Sequence, residues 1–305
     1  MNLDFRSGHV AVIGRPNVGK STLINALLGQ KVAAVSPKAQ TTRRRQLGIL
    51  TTNNAQIVFV DTPGIHNPRH KLGEFLNQEA EEALPGVDVV LFLVDASEEP
   101  TDEDKWIAMR LSRLSRRTPL VLAPNKIDLV RAEALTPRIE AYQALVPEEA
   151  QLVPISATTG EGLESLLATV MEHIPPRKPE YEPEQITDLY EREIAAELIR
   201  EACLSHLRDE VPHGVAVRID EFTERGEEGA YIAATIFVER ESQKGIAIGR
   251  GGEMLKSIGT AARQAIEEMS GRKVFLELRV KVLKEWRKDE KAMKRFGYKI
   301  KKKRK

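Results

Sequence analysis

The sequence predicts an α/β fold in two parts: a doubly wound, mostly parallel sheet domain, then a smaller α+β domain. Three observations carry this. Short apolar runs at 9–13, 56–60, 87–94, 120–123 and 152–155 alternate with amphipathic or polar helical stretches. The runs are continuous, as strands buried on both faces are. Pro175, Pro176, Pro179 and Pro183 then crowd into a stretch that can be neither helix nor central strand. Beyond it the pattern alternates: Val274, Leu276, Leu278, Val280 and Val282 on one side, Glu277, Arg279 and Lys281 on the other. That is a sheet with one covered and one wet face. The expected division is 1–174, a Pro-rich linker 175–185, a second domain 186–285 and a basic tail 286–305.

In chain order, His9 to Ile13 reads as a strand and Ser21 to Leu28 as a helix. Between them Gly14-Arg15-Pro16-Asn17-Val18-Gly19-Lys20-Ser21 is a complete G-x-x-x-x-G-K-S loop, with Thr22 next on the helix. In this context backbone N–H groups close around phosphates, Lys20 reaches the outer ones, and the Ser21 hydroxyl can ligate Mg²⁺. The helix N-terminus adds favourable partial charge, so a nucleoside triphosphate is implied. Gln40-Thr41-Thr42-Arg43 has the polar character of a γ-phosphate-sensing loop. Thr42 is the preferred second hydroxyl for Mg²⁺, and Thr41 the near alternative. Leu47 to Leu50 adds an edge strand.

The strand Gln56 to Val60 ends in Asp61-Thr62-Pro63-Gly64. Asp61 would hold a Mg²⁺-bound water and the Gly64 N–H would meet the γ-phosphate. Lys20, Thr42 and Gly64 are thus the groups expected at the transferred phosphoryl. After Leu120 to Ala123 comes Asn125-Lys126-Ile127-Asp128. An Asp carboxylate accepts both N–H groups on the edge of guanine, a donor pair adenine lacks. Ile155-Ser156-Ala157 ends a strand-like segment where a backbone N–H would meet the guanine oxygen. Singly each motif is an ordinary turn; in this order they form the series of a P-loop GTPase binding GTP and GDP with Mg²⁺.

Past the linker, Ile186 to Leu207 reads as a helix with Tyr190, Ile194 and Leu198 at i+4 steps. Val215 to Ile219 and Tyr231 to Val238 read as strands. Gly249-Arg250-Gly251-Gly252 then forms a G-x-x-G turn between helices, with Ile246 and Ile248 before it. Such a turn lets a single-stranded nucleic-acid backbone approach main-chain N–H groups. The element order helix, strand, strand, helix, G-x-x-G, helix, strand resembles the prokaryotic, type II KH fold. RNA contact is therefore expected at Gly249, Arg250, Gly251 and Gly252.

Composition agrees. At 305 residues and 41% hydrophobic content the chain can bury two cores. Its single cysteine, Cys203, excludes an internal disulfide and suits a reducing cytosol. No apolar run approaches the roughly 18 residues of a membrane span, and the N-terminus is not a signal peptide. The six histidines lack metal-ligand spacing, and Trp106 and Trp286 read as packing residues. The net charge of +1 conceals a segregation: residues 241–305 carry 20 Lys/Arg against 8 Asp/Glu, and the first 240 carry 26 against 37. A polyanion partner for the C-terminal part follows, the bland alternative being a solvated tail at Lys299 to Lys305.

These motifs together resemble the Era family, bacterial GTPases with a C-terminal KH domain that act in maturation of the small ribosomal subunit. The resemblance covers essentially the whole chain. It implies that the RNA is single-stranded sequence near the 3′ end of 16S rRNA, on the small ribosomal subunit. It also implies a cytoplasmic protein with a peripheral inner-membrane fraction in contact with anionic lipid; a monomer is expected. The chain departs from the family pattern twice: Gly249-Arg-Gly-Gly252 has an extra glycine, and Ser156-Ala157-Thr158 replaces the usual Ser-Ala-Lys. Ile65 stands where many GTPases place a water-orienting glutamine. In GTPases with similar loops an asparagine at the Asn17 position helps hold K⁺, so K⁺ is a further expected ion. The competing reading is a GTP-gated membrane scaffold without an RNA-specific role; the apolar surface around Met293, Phe296 and Tyr298 is small for that.

Overall fold

The computed structural model describes residues 5–36, 38, 41–65, 68, 70–112, 118–224 and 229–298. Gln40 of the expected phosphate-sensing loop and the basic end 299–305 lie outside these residues. The chain divides into two compact units. The first comprises Met1–Ala33, Thr42–Asn67 and Leu76–Asp188, and the second Ala34–Thr41, Pro68–Phe75 and Leu189–Lys305.

The first unit is built on β1 (Arg6–Ile13), β2 (Gln46–Thr51), β3 (Ala55–Asp61), β4 (Val89–Asp95), β5 (Leu120–Asn125) and β6 (Gln151–Leu152), in the order β2-β3-β1-β4-β5-β6. β1 pairs in parallel with both β3 and β4, and only the edge strand β2 is antiparallel. The helices are α1 (Lys20–Leu28), α2 (Lys71–Glu82, of which Leu76–Glu82 belongs to this unit), α3 (Asp102–Leu111), α4 (Ala132–Gln143) and α5 (Leu163–His173). The continuous apolar strands have the covering their composition calls for. Val10 and Val12 pack in one cluster with Leu23, Leu166 and Val170. Ala11 and Ile13, one residue out of phase, pack in a second with Ala80, Ile107 and Tyr142. Period-two alternation thus feeds two helical layers from one strand. The strand order reverses at β1, which puts the loop after it at the position where open α/β sheets bind ligands.

Two details depart from expectation. Regular strand β6 is only Gln151–Leu152, so it takes in just Leu152 of the run 152–155. Val153 N and Ile155 N still donate to Leu122 O and Pro124 O at 3.0 and 2.8 Å. The Pro-rich stretch, with 186–188, groups with the first unit. Buried Gln56 anchors it, its Oε1 accepting from Glu180 N and Tyr181 N at 2.8 and 2.9 Å, while Ile49 N donates to Ile186 O at 2.8 Å.

The second unit contains α6 (Glu191–His206), β7 (Ala216–Glu224), β8 (Ala230–Val238), α7 (Glu241–Ile248), α8 (Glu253–Ser270), β9 (Val274–Val282) and α9 (Glu290–Arg295). β8 lies central, antiparallel to β7 and parallel to β9. Ile194, Leu198, Ile232, Ile236, Ile258 and Ile266 belong to one core. α6 begins after Tyr190, whose side chain is exposed, so the i+4 stripe starts only at Ile194. The other face of the sheet is not uniformly wet. At its Phe237 end, Trp286, Phe296 and Tyr298 form an aromatic cluster with Phe237. The Trp286 N–H donates to Gly214 O at 2.8 Å, a partner that permits full burial of the indole.

Candidate nucleotide site and nucleic-acid cleft

The loop Gly14–Gly19 connects β1 to α1. Gly19 has φ 103°, and a Cβ there would stand 2.3 Å from the Asn125 side-chain nitrogen, so glycine is required by conformation and space alike. Asn17 adopts φ 66°, a left-handed conformation asparagine tolerates. Lys20 is buried, its Nζ donating to Gly14 O and Arg15 O at 3.0 and 2.9 Å. The lysine thereby bridges the loop that its charge is to serve. Burial lowers its pKa to about 8, against the raising effect of Asp61.

Ser21 Oγ lies 2.8 Å from Thr42 Oγ1 and 2.9 Å from Asp61 Oδ2, and Thr42 Oγ1 donates to the same Oδ2 at 3.1 Å. Thr41 Oγ1 instead donates to Lys38 O at 2.7 Å. Of the two threonines, Thr42 is the one brought to Ser21 and Asp61. Burial pushes the Asp61 pKa up, with Lys20 and the donors Ser21, Thr42 and Gln46 opposing it. Asp61 Oδ1 is buried with no hydrogen-bond partner, an orphaned oxygen that suits a water held by a hard cation. Two hydroxyls and one carboxylate match Mg²⁺, which keeps waters and takes its remaining ligands from phosphate. Thr62 Oγ1 donates to Val12 O at 2.7 Å and Ile65 N to Gly14 O at 3.3 Å, so Asp61-Thr62-Pro63-Gly64 lies against the phosphate loop. Ile65 itself is buried in the apolar core.

Asn125 ends β5 and ties three loops together. Its Nδ2 donates to Val18 O at 2.8 Å, and its Oδ1 accepts from Ala157 N at 2.9 Å. Ser156 is buried, its Oγ accepting from Thr159 N at 3.1 Å. Lys126 is left-handed at φ 66°, which turns the chain into the single 3₁₀ turn Ile127–Leu129 and leaves Asp128 exposed. The Ala157 N–H is engaged by Asn125, so a contact from it to guanine would compete with that bond.

Sequence reasoning missed the residues that brace this arrangement. Arg15 directs its guanidinium away from the loop interior, where Nε donates to fully buried Asp104 at 3.2 Å and Nη2 pairs with Glu98 and lies 4.0 Å from Asp95. Asp95 in turn accepts from Lys126 Nζ at 2.5 Å. Burial raises the Asp95 pKa, but Lys126 and Ser97 more than offset this and hold it low. Asp104 doubles as the capping-box residue of α3, its carboxylate accepting from Thr101 N and Oγ1. An acidic residue closing the apolar run 89–94, at the carboxyl end of a strand, was the available signal.

In the second unit, Gly249, Gly251 and Gly252 have φ of 74°, 59° and 86°. The turn they make links α7 to α8 with exposed Arg250 at its tip. From Gly252 a cleft of about 390 Å³ runs between Lys256, Gly259 and Arg263 of α8 and Leu276 and Leu278 of β9. β9 is the outer strand of its sheet, so the cleft has an apolar floor, a basic wall and a glycine turn at one end.

Residues 9–126 match the family described as 50S ribosome-binding GTPase, and residues 210–287 match the KH domain. GTPase Era from Leuconostoc citreum (strain KM20) is 48% identical over 294 residues, covering 96% of this chain and 97% of that protein. A crystal structure of Era in complex with MgGDPNP and nucleotides 1506–1542 of 16S ribosomal RNA matches with TM-score 0.91 and 41% identity, over 97% of this chain and 100% of that one. A single-substitution variant of Aquifex aeolicus Era bound to GDP·AlF₄⁻ matches with the same TM-score, identity and coverage.

Proposed function

The chain belongs to the Era family of GTPases, and from that premise we propose that it hydrolyses GTP to GDP as a switch. We further propose that its KH domain binds single-stranded 16S rRNA near the 3′ end, in assembly of the small (30S) ribosomal subunit and rRNA processing. The observation that carries the enzymatic half is the meeting of Ser21, Thr42 and Asp61 within 3.1 Å of one another. That set accepts Mg²⁺ on GTP, where the ion neutralises charge developing on the transferred phosphoryl. Ser21 and Thr42 supply hydroxyl ligands and Asp61 holds an ion-bound water. Lys20 and the Gly64 N–H face the γ-phosphate, and Asp128 reads the guanine edge.

Ile65 cannot orient the attacking water, so turnover of the isolated chain is slow. Asn17 would help hold K⁺, whose charge would do the work of an arginine finger. The RNA half rests on the G-x-x-G turn opening into a basic cleft. The protein works in the cytoplasm as a monomer. Crosslinking of the purified protein to total cellular RNA, with and without GTP, followed by sequencing, tests this. Enrichment of the 16S 3′ region is expected. Retention on anionic vesicles with no RNA enrichment would instead favour the membrane scaffold.

A further inference from the structure

Phe275, near the start of β9, is 67% exposed. It is held in place from one side. Tyr231, its register partner on β8, stacks on it with ring centroids 5.7 Å apart and planes 18° from parallel. The Tyr231 hydroxyl donates to Glu277 at 2.8 Å. The outward phenyl is therefore a pre-ordered plate rather than a loose side chain. Beside it lies a second cleft of about 310 Å³, lined by Tyr231, Phe275, Lys273, Arg263 and Glu267. Arg263 also lines the cleft that opens at Gly252, so one side chain borders both. About 16 Å of helix separates Gly252 from Arg263 at 1.5 Å per residue.

We propose that the RNA track continues past the G-x-x-G clamp, along α8 beyond Arg263, rounds the outer edge of β9 at Lys273–Phe275 to the opposite face of the sheet, and stacks a further unpaired base on the Phe275–Tyr231 plate there. This rests on the RNA-binding reading above. A KH turn clamps about four nucleotides, and the second cleft extends the route beyond them. Charge favours the same occupant. Lys256, Arg263 and Lys273 line the route, and the acid among them, Glu267, is bound to Arg263 at 3.0 Å and accepts from Val274 N at 3.0 Å. The apolar surface is a single ring pair bordered by the Glu277–Arg279 ion pair, which fits one base and is too small for a protein interface. A phenyl ring accepts any base through its π-face, so this contact adds affinity and length to the footprint, not base identity.

The test uses the full chain and an RNA of nucleotides 1506–1542 of 16S rRNA, intact or with single abasic replacements, read by fluorescence anisotropy. Phe275→Ala should weaken binding of the intact RNA by about 5- to 150-fold, the worth of one base–aromatic stack, and Phe275→Trp should preserve it. One abasic position outside the four-nucleotide clamp should cost a similar factor in the parent protein and nothing further in Phe275→Ala. That non-additivity identifies the base on the plate. Melting temperature checks that the variants fold. If Phe275→Ala binds like the parent while Gly251→Asp does not, the plate is overturned and the KH reading stands. A loss with no coupled abasic position overturns it equally. Parent-like binding by both variants would remove the RNA reading itself.

Discussion

Replacing Arg15 by alanine tests whether the brace around the phosphate loop matters. Asp104 is fully buried and accepts from the Arg15 guanidinium at 3.2 Å. Breaking a buried pair by removing one member costs about 3–5 kcal/mol, because the remaining charge is uncompensated. Asp104 keeps two donors from Thr101, which puts the expectation at the low end, about 3 kcal/mol. The half-exposed Glu98 adds at most about 1 kcal/mol. The unfolding transition of the first unit should fall by roughly 6–12 °C, at about 2–4 °C per kcal/mol. Dissociation of fluorescent GDP should quicken, by about tenfold for each 1.4 kcal/mol of bracing lost between the phosphate loop and Lys126. Adding Asp104→Asn removes the stranded charge, so the double variant should regain most of the stability while still losing GDP quickly. Unchanged melting and unchanged GDP release in Arg15→Ala would mean that Arg15 braces neither the fold nor the loop.

Other outcomes follow from single residues. Asp128→Asn should weaken GTP about 10- to 100-fold by removing a charge-assisted pair and improve xanthosine triphosphate, as measured by competition binding. Lys20 has a lowered pKa of about 8 in the folded chain, so its charged form is disfavoured there. Without nucleotide, this group contributes stability that is gained as pH rises from about 8 towards its ordinary value. Phosphate needs the charged form, so GDP affinity should be flat below about pH 7 and fall as pH rises through about 8. Calorimetry in buffers of different ionisation enthalpy should detect the accompanying proton uptake. GTP turnover should be faster in K⁺ than in Na⁺, and Asn17→Ala should abolish the difference; equal rates for the parent protein would remove the cation proposal.

The nucleotide motifs could be proposed from sequence because the chemistry expected of them is local. Gly14 to Ser21 and Asn125 to Asp128 are short contiguous segments, and the roles proposed for them lie in their own backbone and side chains. The continuous strands and the alternating β9 were legible for the same reason, since burial on two faces or one writes itself into the period. What was not legible depended on distant partners. Arg15 reads as one more loop residue until Glu98 and Asp104 are brought to it. The prolines of 175–183 suggest a free linker, yet Gln56 holds their neighbours to the first unit. The run 152–155 reads as a strand, yet regular pairing ends at Leu152. Phe275 fits the alternation of β9, but only the pairing with Tyr231 makes it a plate.

In the proposed function one chain joins a guanine-nucleotide switch to an rRNA clamp at Gly249–Gly252. The direct test is titration of the 16S RNA of nucleotides 1506–1542 into the GTP-analogue-loaded protein and its Gly251→Asp variant. Gly251 has φ 59°, a left-handed conformation that aspartate visits, and a Cβ placed there would meet no heavy atom within 4 Å. An aspartate therefore fits and sets a negative charge against the RNA backbone. Saturable binding is expected of the parent protein, lost in Gly251→Asp, while both retain GDP. Equal RNA affinity in the two would contradict the clamp.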